Sequence, residues 1–144
     1  DLAAVAEAVA RGGDVSLLAA HTYGNYAVQV ALRHCAPAQR AALLDALLPR
    51  TLALSTSKHG SNVAEQLLTL ASDAQLAPVC DTIFGAAAAG RAGALRDLMS
   101  NEFANYVLQT LLRRLQHAAR ANALRLVEGN VTPTNYGRNI LANC

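Results

Sequence analysis

One pattern, written four times along the chain, limits the fold more than any other feature. HTYGNYAVQVAL from His21, SKHGSNVAEQLL from Ser57, NEFANYVLQTLL from Asn101 and TNYGRNILANC from Thr134 align without gaps. Each carries an aromatic ring or a histidine beside a small residue: Tyr23-Gly24, His59-Gly60, Phe103-Ala104 and Tyr136-Gly137. Equivalent positions recur after 36, 44 and 33 residues. The long interval contains GAAAAGRAG, Gly85 to Gly93, read as a flexible insertion of about eight residues. A period near 36 residues belongs to units that cannot bury an apolar face alone and must stack on their neighbours, which is the logic of a solenoid.

The units are helical. Ala and Leu dominate, β-branched runs are missing, and apolar residues recur at helical spacing, as in Leu108, Leu111, Leu112 and Leu115. With 53% of residues hydrophobic and 15% charged, the chain has enough apolar surface to exclude intrinsic disorder. Glycines and prolines, among them Pro37, Pro49, Pro78, Gly85, Gly90 and Gly93, punctuate the pattern, with Pro37 and Pro78 read as first-turn residues. The expected units are 14–48, 49–90 and 91–128, preceded by the end of another unit at 1–13 and closed by a shorter cap at 129–144. Each full unit should hold a short helix (Val15–Ala20, Leu52–Ser57, Leu95–Ser100), a long helix with the aligned segment, and a third helix (Ala38–Leu48, Asp73–Phe84, Ala118–Val127). The small residue before each long helix lets backbones approach closely, and the ring beside it is expected to fill the gap between units.

Charge and cysteines remove several function classes. A net charge of +2 is too small for binding driven mainly by bulk positive charge. No apolar run reaches the roughly 18 residues of a membrane span, and the DLAAVAEAVARGG start has no basic region of a signal peptide. A start without Met suggests a piece of a longer protein. Cys35, Cys80 and Cys144 form no CxxC pair and lie at no metal-ligand spacing from a histidine, so they read as small hydrophobes and reduced thiols, and no metal or other cofactor is expected. No nucleophile elbow or phosphate loop accompanies His21, His34, His59 and His117, which speaks against an enzyme. Arg113, Arg114 and Arg120 are read as a solvated basic face.

Chemistry concentrates inside the aligned segments. Two polar side chains stand four residues apart, with a flat side chain directly after the first: Asn25, Tyr26 and Gln29; Ser61, Asn62 and Glu65; Asn105, Tyr106 and Gln109. On a helix, residues i and i+4 share a face, so the pair can grip one planar edge while residue i+1 offers a stacking surface to the side. That is an arrangement for reading one exposed nucleobase per unit. An ionised Glu65 only accepts hydrogen bonds, which suits the adjacent N1–H and amine of guanine and repels the O4 of uracil. The Asn/Gln pairs suit uracil, but a Gln amide also suits adenine.

These segments resemble the base-reading helices of Pumilio-type RNA-binding proteins, the PUF repeat family. NYAVQ, SNVAE and NYVLQ look like the last three repeats of that domain, and YGRNIL resembles its C-terminal capping pseudo-repeat. The 44-residue interval fits a family that places a longer loop before its final full repeat. The resemblance implies an all-α fold, a right-handed crescent of stacked three-helix repeats, with single-stranded RNA on the concave face. Carried over residue by residue, it implies that Asn25 and Gln29 read uracil, Ser61 and Glu65 guanine, and Asn105 and Gln109 uracil. Tyr26, Asn62 and Tyr106 would form the stacking layer. It further implies a cytoplasmic monomer that reads U-G-U in messenger 3′ untranslated regions and represses translation or promotes decay through protein partners on the convex face.

The chain departs from the family pattern at His59, which replaces a ring, and at Gln66, where a basic residue is common. Arg138, Asn139 and Ala142 in the cap lack a paired grip, so no base is expected there. Stacking contributes about 1–3 kcal/mol per base, so three bases suggest micromolar affinity or weaker after ordering costs. The alternative class is a protein-binding α-solenoid of HEAT or armadillo type, which would have no dependence on Gln29, Glu65 or Gln109.

Overall fold

The computed structural model describes residues 15–144. The unit end expected at 1–13, together with Asp14, lies outside the described residues. Helices follow one another in a repeating triplet: α1 (Val15–Ala20), α2 (Gly24–His34) and α3 (Pro37–Leu47); α4 (Thr51–Ser55), α5 (Gly60–Leu70) and α6 (Asp73–Cys80); α7 (Gly93–Ser100), α8 (Ala104–Arg114) and α9 (His117–Gly129). A last helix, α10 (Gly137–Asn143), closes the stack. The long helices α2, α5 and α8 are 11 residues each and begin at the small residue of the repeat.

These long helices form the middle of the molecule because each carries apolar side chains at helical spacing. Val28, Ala31 and Leu32 on α2, Val63, Ala64, Leu67 and Leu68 on α5, and Val107, Leu108, Leu111 and Leu112 on α8 are all buried. Packed in sequence order, α2 lies against α5, α5 against α8, and α8 against α10. Burying one such Leu contributes about 1.5–3 kcal/mol.

Close backbone approach is what the small residues allow. A Cβ on Gly24 would lie 2.6 Å from the Leu18 carbonyl oxygen, and one on Gly60 would lie 2.7 Å from that of Leu54. The rings beside them behave less uniformly than expected. His59, Phe103 and Tyr136 are half-buried, whereas Tyr23 is 78% exposed, with the ring of His21 6.0 Å away between centroids.

Two expectations about breakers need correction. Pro37 does open α3, but Pro78 sits well inside α6. The start of α6 is fixed earlier by a reciprocal cap, in which Gln75 N donates to Ser72 Oγ (3.2 Å) and Ser72 N donates to Gln75 Oε1 (2.9 Å). Gly85 does not end the helix either, and the alanine run is not a flexible loop throughout. A wider turn over Asp81–Gly85 leads into a further helical turn, Ala86–Ala88. Alanine is the strongest helix former, and the stop comes only at Gly90, whose φ of 84° suits glycine. There Arg91 N donates to Ala86 O (2.8 Å) and Gly90 N to Ala87 O (3.1 Å), which satisfies the last carbonyls.

The cysteines are free thiols, with Cys35 buried and Cys80 and Cys144 half-buried. Burial pushes the Cys80 thiol above its ordinary pKa, helped by the Asp81 carboxylate and opposed by Arg114. Burial raises Cys144 as well, against Arg113 and Arg120. Both therefore remain protonated at neutral pH.

Candidate nucleic-acid interface

The aligned segments begin with a residue that the sequence reading passed over. His21 Nδ1 accepts from the N–H groups of Tyr23 (3.1 Å) and Gly24 (3.2 Å). Ser57 Oγ accepts from Gly60 N (2.9 Å), and Asn101 Oδ1 from Phe103 N (2.8 Å) and Ala104 N (2.9 Å). In the cap the acceptor stands one aligned position later, where Asn135 Oδ1 accepts from Gly137 N (2.9 Å). Unpaired N–H groups at the start of each long helix and of the cap helix are thus met, in the three full units by a residue four positions before the first polar one. Ser and Asn are standard signals for this role; His is not, and only its place in the alignment could have revealed it.

The first polar position of each unit is buried. Asn25 is inaccessible, and its Nδ2 donates to the carbonyls of His21 and Thr22, both at 2.8 Å. Asn105 repeats the arrangement with Asn101 O and Glu102 O, both at 3.0 Å. Ser61 Oγ donates to Lys58 O (3.0 Å). These side chains brace the turn that enters the helix. The amide oxygens then accept from the residue one turn on: Gln29 Nε2 donates to Asn25 Oδ1 (3.1 Å), and Gln109 Nε2 to Asn105 Oδ1 (3.3 Å).

The next position points outward in every unit. Tyr26 is 61% exposed and Tyr106 58%, and Asn62 between them is exposed too. The position one turn further is graded. Gln29 and Glu65 are half-buried, whereas Gln109 is buried beneath α10, where Asn143 Nδ2 donates to its Oε1 (3.2 Å). Glu65 Oε1 accepts from Thr110 Oγ1 of the following unit at 2.6 Å. Thr110 thus links the third unit to Glu65 of the second, Asn143 links the cap to Gln109 of the third, and α2 stands against α5 in the same order. Among the described residues Gln29 makes no further side-chain hydrogen bond, so one N–H and its carbonyl oxygen stand unused, a donor beside an acceptor.

The expected solvated arginine face is only partly present. Arg113 is exposed, but Arg114 donates to Asp73 Oδ1 (2.8 Å) and Ala71 O (2.7 Å), which ties the second unit to the third. Arg120 donates to Cys144 O (2.7 Å) and anchors the cap. Carbonyls at helix ends need donors, and these guanidinium groups supply them. In the cap, Arg138, Asn139 and Ala142 are exposed. Among the described residues, no group of three His, Cys, Asp or Glu could hold a metal ion, and no helix is long and apolar enough to cross a membrane.

The Pumilio-family RNA-binding repeat matches residues 14–48, 50–84 and 95–122. The chain belongs to the Pumilio family. Pumilio homolog 12 of Arabidopsis thaliana is 27% identical over 129 residues, which cover 88% of this chain and 21% of that protein. The chain thus spans about a fifth of the length of this relative. The Puf4 RNA-binding domain, solved with a recognition sequence from the HO endonuclease 3′ UTR, superposes with a TM-score of 0.71 at 18% identity. That likeness covers 99% of this chain and 47% of Puf4. PUF-8, solved with PBE-RNA, gives 0.70 at 22% identity, over 88% of this chain and 37% of the other. The PUM-HD domain of S. pombe Puf1, solved with RNA, gives 0.64 at 18% over 99% and 40%. At such identities the likeness speaks for the fold, an all-α right-handed solenoid of stacked Pumilio repeats.

Proposed function

We propose that the chain binds single-stranded RNA across the face built by α2, α5 and α8, one base per repeat, and reads U-G-U. The observation that carries the reading is the repeated register of this face. Each long helix sets a braced polar residue, an outward stacking residue and a polar reader one turn on, in a chain made of Pumilio-family repeats. RNA-bound Puf4, PUF-8 and Puf1 share the fold and support the choice of ligand class.

The chemistry divides among the three positions. Gln29 pairs its free carbonyl oxygen with the N3–H of uracil and its remaining N–H with a uracil carbonyl, while Asn25 fixes the orientation of that amide from below. Asn105 and Gln109 repeat the arrangement once Asn143 gives way. Glu65 accepts from guanine N1–H and the exocyclic amine, with Ser61 bracing its helix. Bases stack on Tyr26 and Tyr106, and Asn62 offers a flat amide without a ring. The sites lie in messenger 3′ untranslated regions, in the cytoplasm. The protein acts there as a monomer that recruits regulators of translation or decay on its convex side.

Replacing Glu65 with Gln tests the assignment. Discrimination for guanine at the central base should drop by about 1–3 kcal/mol, the range of a good bidentate base contact. Selection from randomised RNA, read out by position, measures it. Guanine preference that survives in Glu65→Gln removes Glu65 as the reader.

A further inference from the structure

We propose that Thr110 is a positioning residue for guanine selection. Its hydroxyl, delivered from the following repeat, holds the Glu65 carboxylate in the orientation that faces guanine's two N–H groups. The inference rests on the reading of Glu65 as the guanine-facing residue and adds a second residue, on another helix, to that position.

The geometry begins with the single hydrogen of the hydroxyl. Threonines inside helices often return that hydrogen to the carbonyl four residues back. Thr69 does so with Glu65 O (2.8 Å), and Thr82 with Pro78 O (2.9 Å). Thr110 instead reaches across the seam between α8 and α5, and its Oγ1 lies 2.6 Å from Glu65 Oε1. An ionised carboxylate only accepts, so Thr110 is the donor, and the length fits a charge-assisted O–H···O⁻ bond.

The consequence for recognition follows from counting acceptor sites. A carboxylate offers about four lone-pair sites on two oxygens, so one bond from Thr110 leaves room for both N–H groups of guanine. Glutamate has three rotatable side-chain bonds, and a carboxylate that must be ordered on binding loses affinity for the base that needs it. Pinning Oε1 beforehand removes that loss for guanine and does nothing for adenine, whose N1 is an acceptor that the carboxylate repels. Thr110 therefore acts on the ratio between bases. Neither of the other long helices has a hydroxyl at the equivalent position, which is Val30 in α2 and Gln66 in α5.

The experiment compares dissociation constants for short RNAs with UGU and UAU cores, using the chain and its Thr110→Val, Thr110→Ser, Thr110→Ala and Glu65→Gln variants. In Thr110→Val, which keeps the shape and removes the O–H, the preference for UGU over UAU should fall about 2- to 10-fold, the range for ordering one flexible side chain. UAU binding should be unchanged. Thr110→Ser should keep the wild-type ratio. Thr110→Ala removes the same hydroxyl with a stronger helix former and should match Thr110→Val. In Glu65→Gln, adding Thr110→Val should cause no further fall, because the carboxylate it orients is gone. A wild-type ratio in Thr110→Val, an equal weakening of both RNAs, or a Thr110→Ser that behaves like Thr110→Val each overturns the proposal. If Glu65→Gln lowers the ratio and Thr110→Val does not, only the role of Thr110 falls. If Glu65→Gln leaves the ratio intact, the reading of Glu65 falls and takes this proposal with it.

Discussion

The first and third repeats carry nearly the same five letters, NYAVQ and NYVLQ, yet present them differently. Asn25 and Asn105 are both buried and brace the preceding turn through the same pair of carbonyl bonds. Tyr26 and Tyr106 are exposed to nearly the same degree. The glutamines part ways. Gln29 is half-buried with its carbonyl oxygen open, while Gln109 is 3% exposed with that oxygen taken by Asn143. The local motif therefore sets the brace and the exposed tyrosine, and the unit that follows decides how much of the glutamine is shown. At the middle repeat the following unit contributes Thr110 to Glu65. At the first it contributes Gln66, which makes no hydrogen bond to Gln29 among the described residues.

The two ends should differ most in tolerance to a single methyl group. A Cβ on Gly24 would meet a backbone oxygen, Leu18 O at 2.6 Å, which cannot move without shifting the turn. A Cβ on Gly137 would meet side-chain atoms, Val131 Cγ2 at 2.7 Å, Asn135 Oδ1 at 2.9 Å and Met99 Cε at 2.9 Å, and the methionine end can swing away. Gly24→Ala should cost about 3 kcal/mol in urea unfolding, the upper end of overpacking, and Gly137→Ala about 1 kcal/mol. Equal costs would mean that the cap is held as rigidly as the first unit.

Stacking should show no such asymmetry. Tyr26→Ala and Tyr106→Ala should each weaken RNA binding by about 2 kcal/mol, to a similar extent whichever base is presented, because every base has a π-face. Titrations of each variant against a panel of single-base RNA substitutions check this. A loss confined to one base would turn that tyrosine from platform into reader.

Much of this was legible in the sequence, for a physical reason: a stack of similar units repeats its apolar stripe, and the repeat betrays the period. Leu32, Leu68 and Leu112 fall at one aligned position and are all fully buried. Contacts that cross between units were hidden, because they pair residues far apart in sequence with no common spacing. Thr110 reaches Glu65 over 45 positions, Arg114 reaches Ala71 over 43, and Asn143 reaches Gln109 over 34. The burial of Asn25 was hidden too, since an amide on a helix face looks available until the carbonyls of the preceding turn claim it. Pro78 misled for a related reason. A proline reads as a boundary, but the reciprocal bond between Ser72 and Gln75 had already started the helix.

A smaller effect separates the two glutamines. Removing the side chain of Gln109 leaves Asn105 Oδ1 and the Asn143 amide without their partner, so Gln109→Ala should cost about 1 kcal/mol of stability, the net worth of a typical hydrogen bond. Gln29→Ala should cost less in the same unfolding experiment, since Gln29 has one such bond and stands closer to water. In RNA titrations the order should reverse, with Gln29→Ala losing more of the preference for uracil at its base.

The smallest expected effect tests whether the cap shields Gln109. Asn143 is exposed, whereas α10 is anchored by the buried Ile140, by Tyr136 N donating to Met99 O (2.9 Å) and by Arg120 holding Cys144 O. Asn143→Ala should therefore leave the cap in place while it frees Gln109 Oε1. A base edge arriving at Gln109 would no longer compete with the Asn143 amide, so UGU binding should tighten by about 0.5 kcal/mol, roughly twofold in Kd. Gln109→Ala made in the same background should erase that gain, because the freed oxygen is its source. Weaker binding in Asn143→Ala would give the opposite role to this residue: its own amide would be part of the contact, and the difference between the first and third repeats would be one of added recognition rather than of cover.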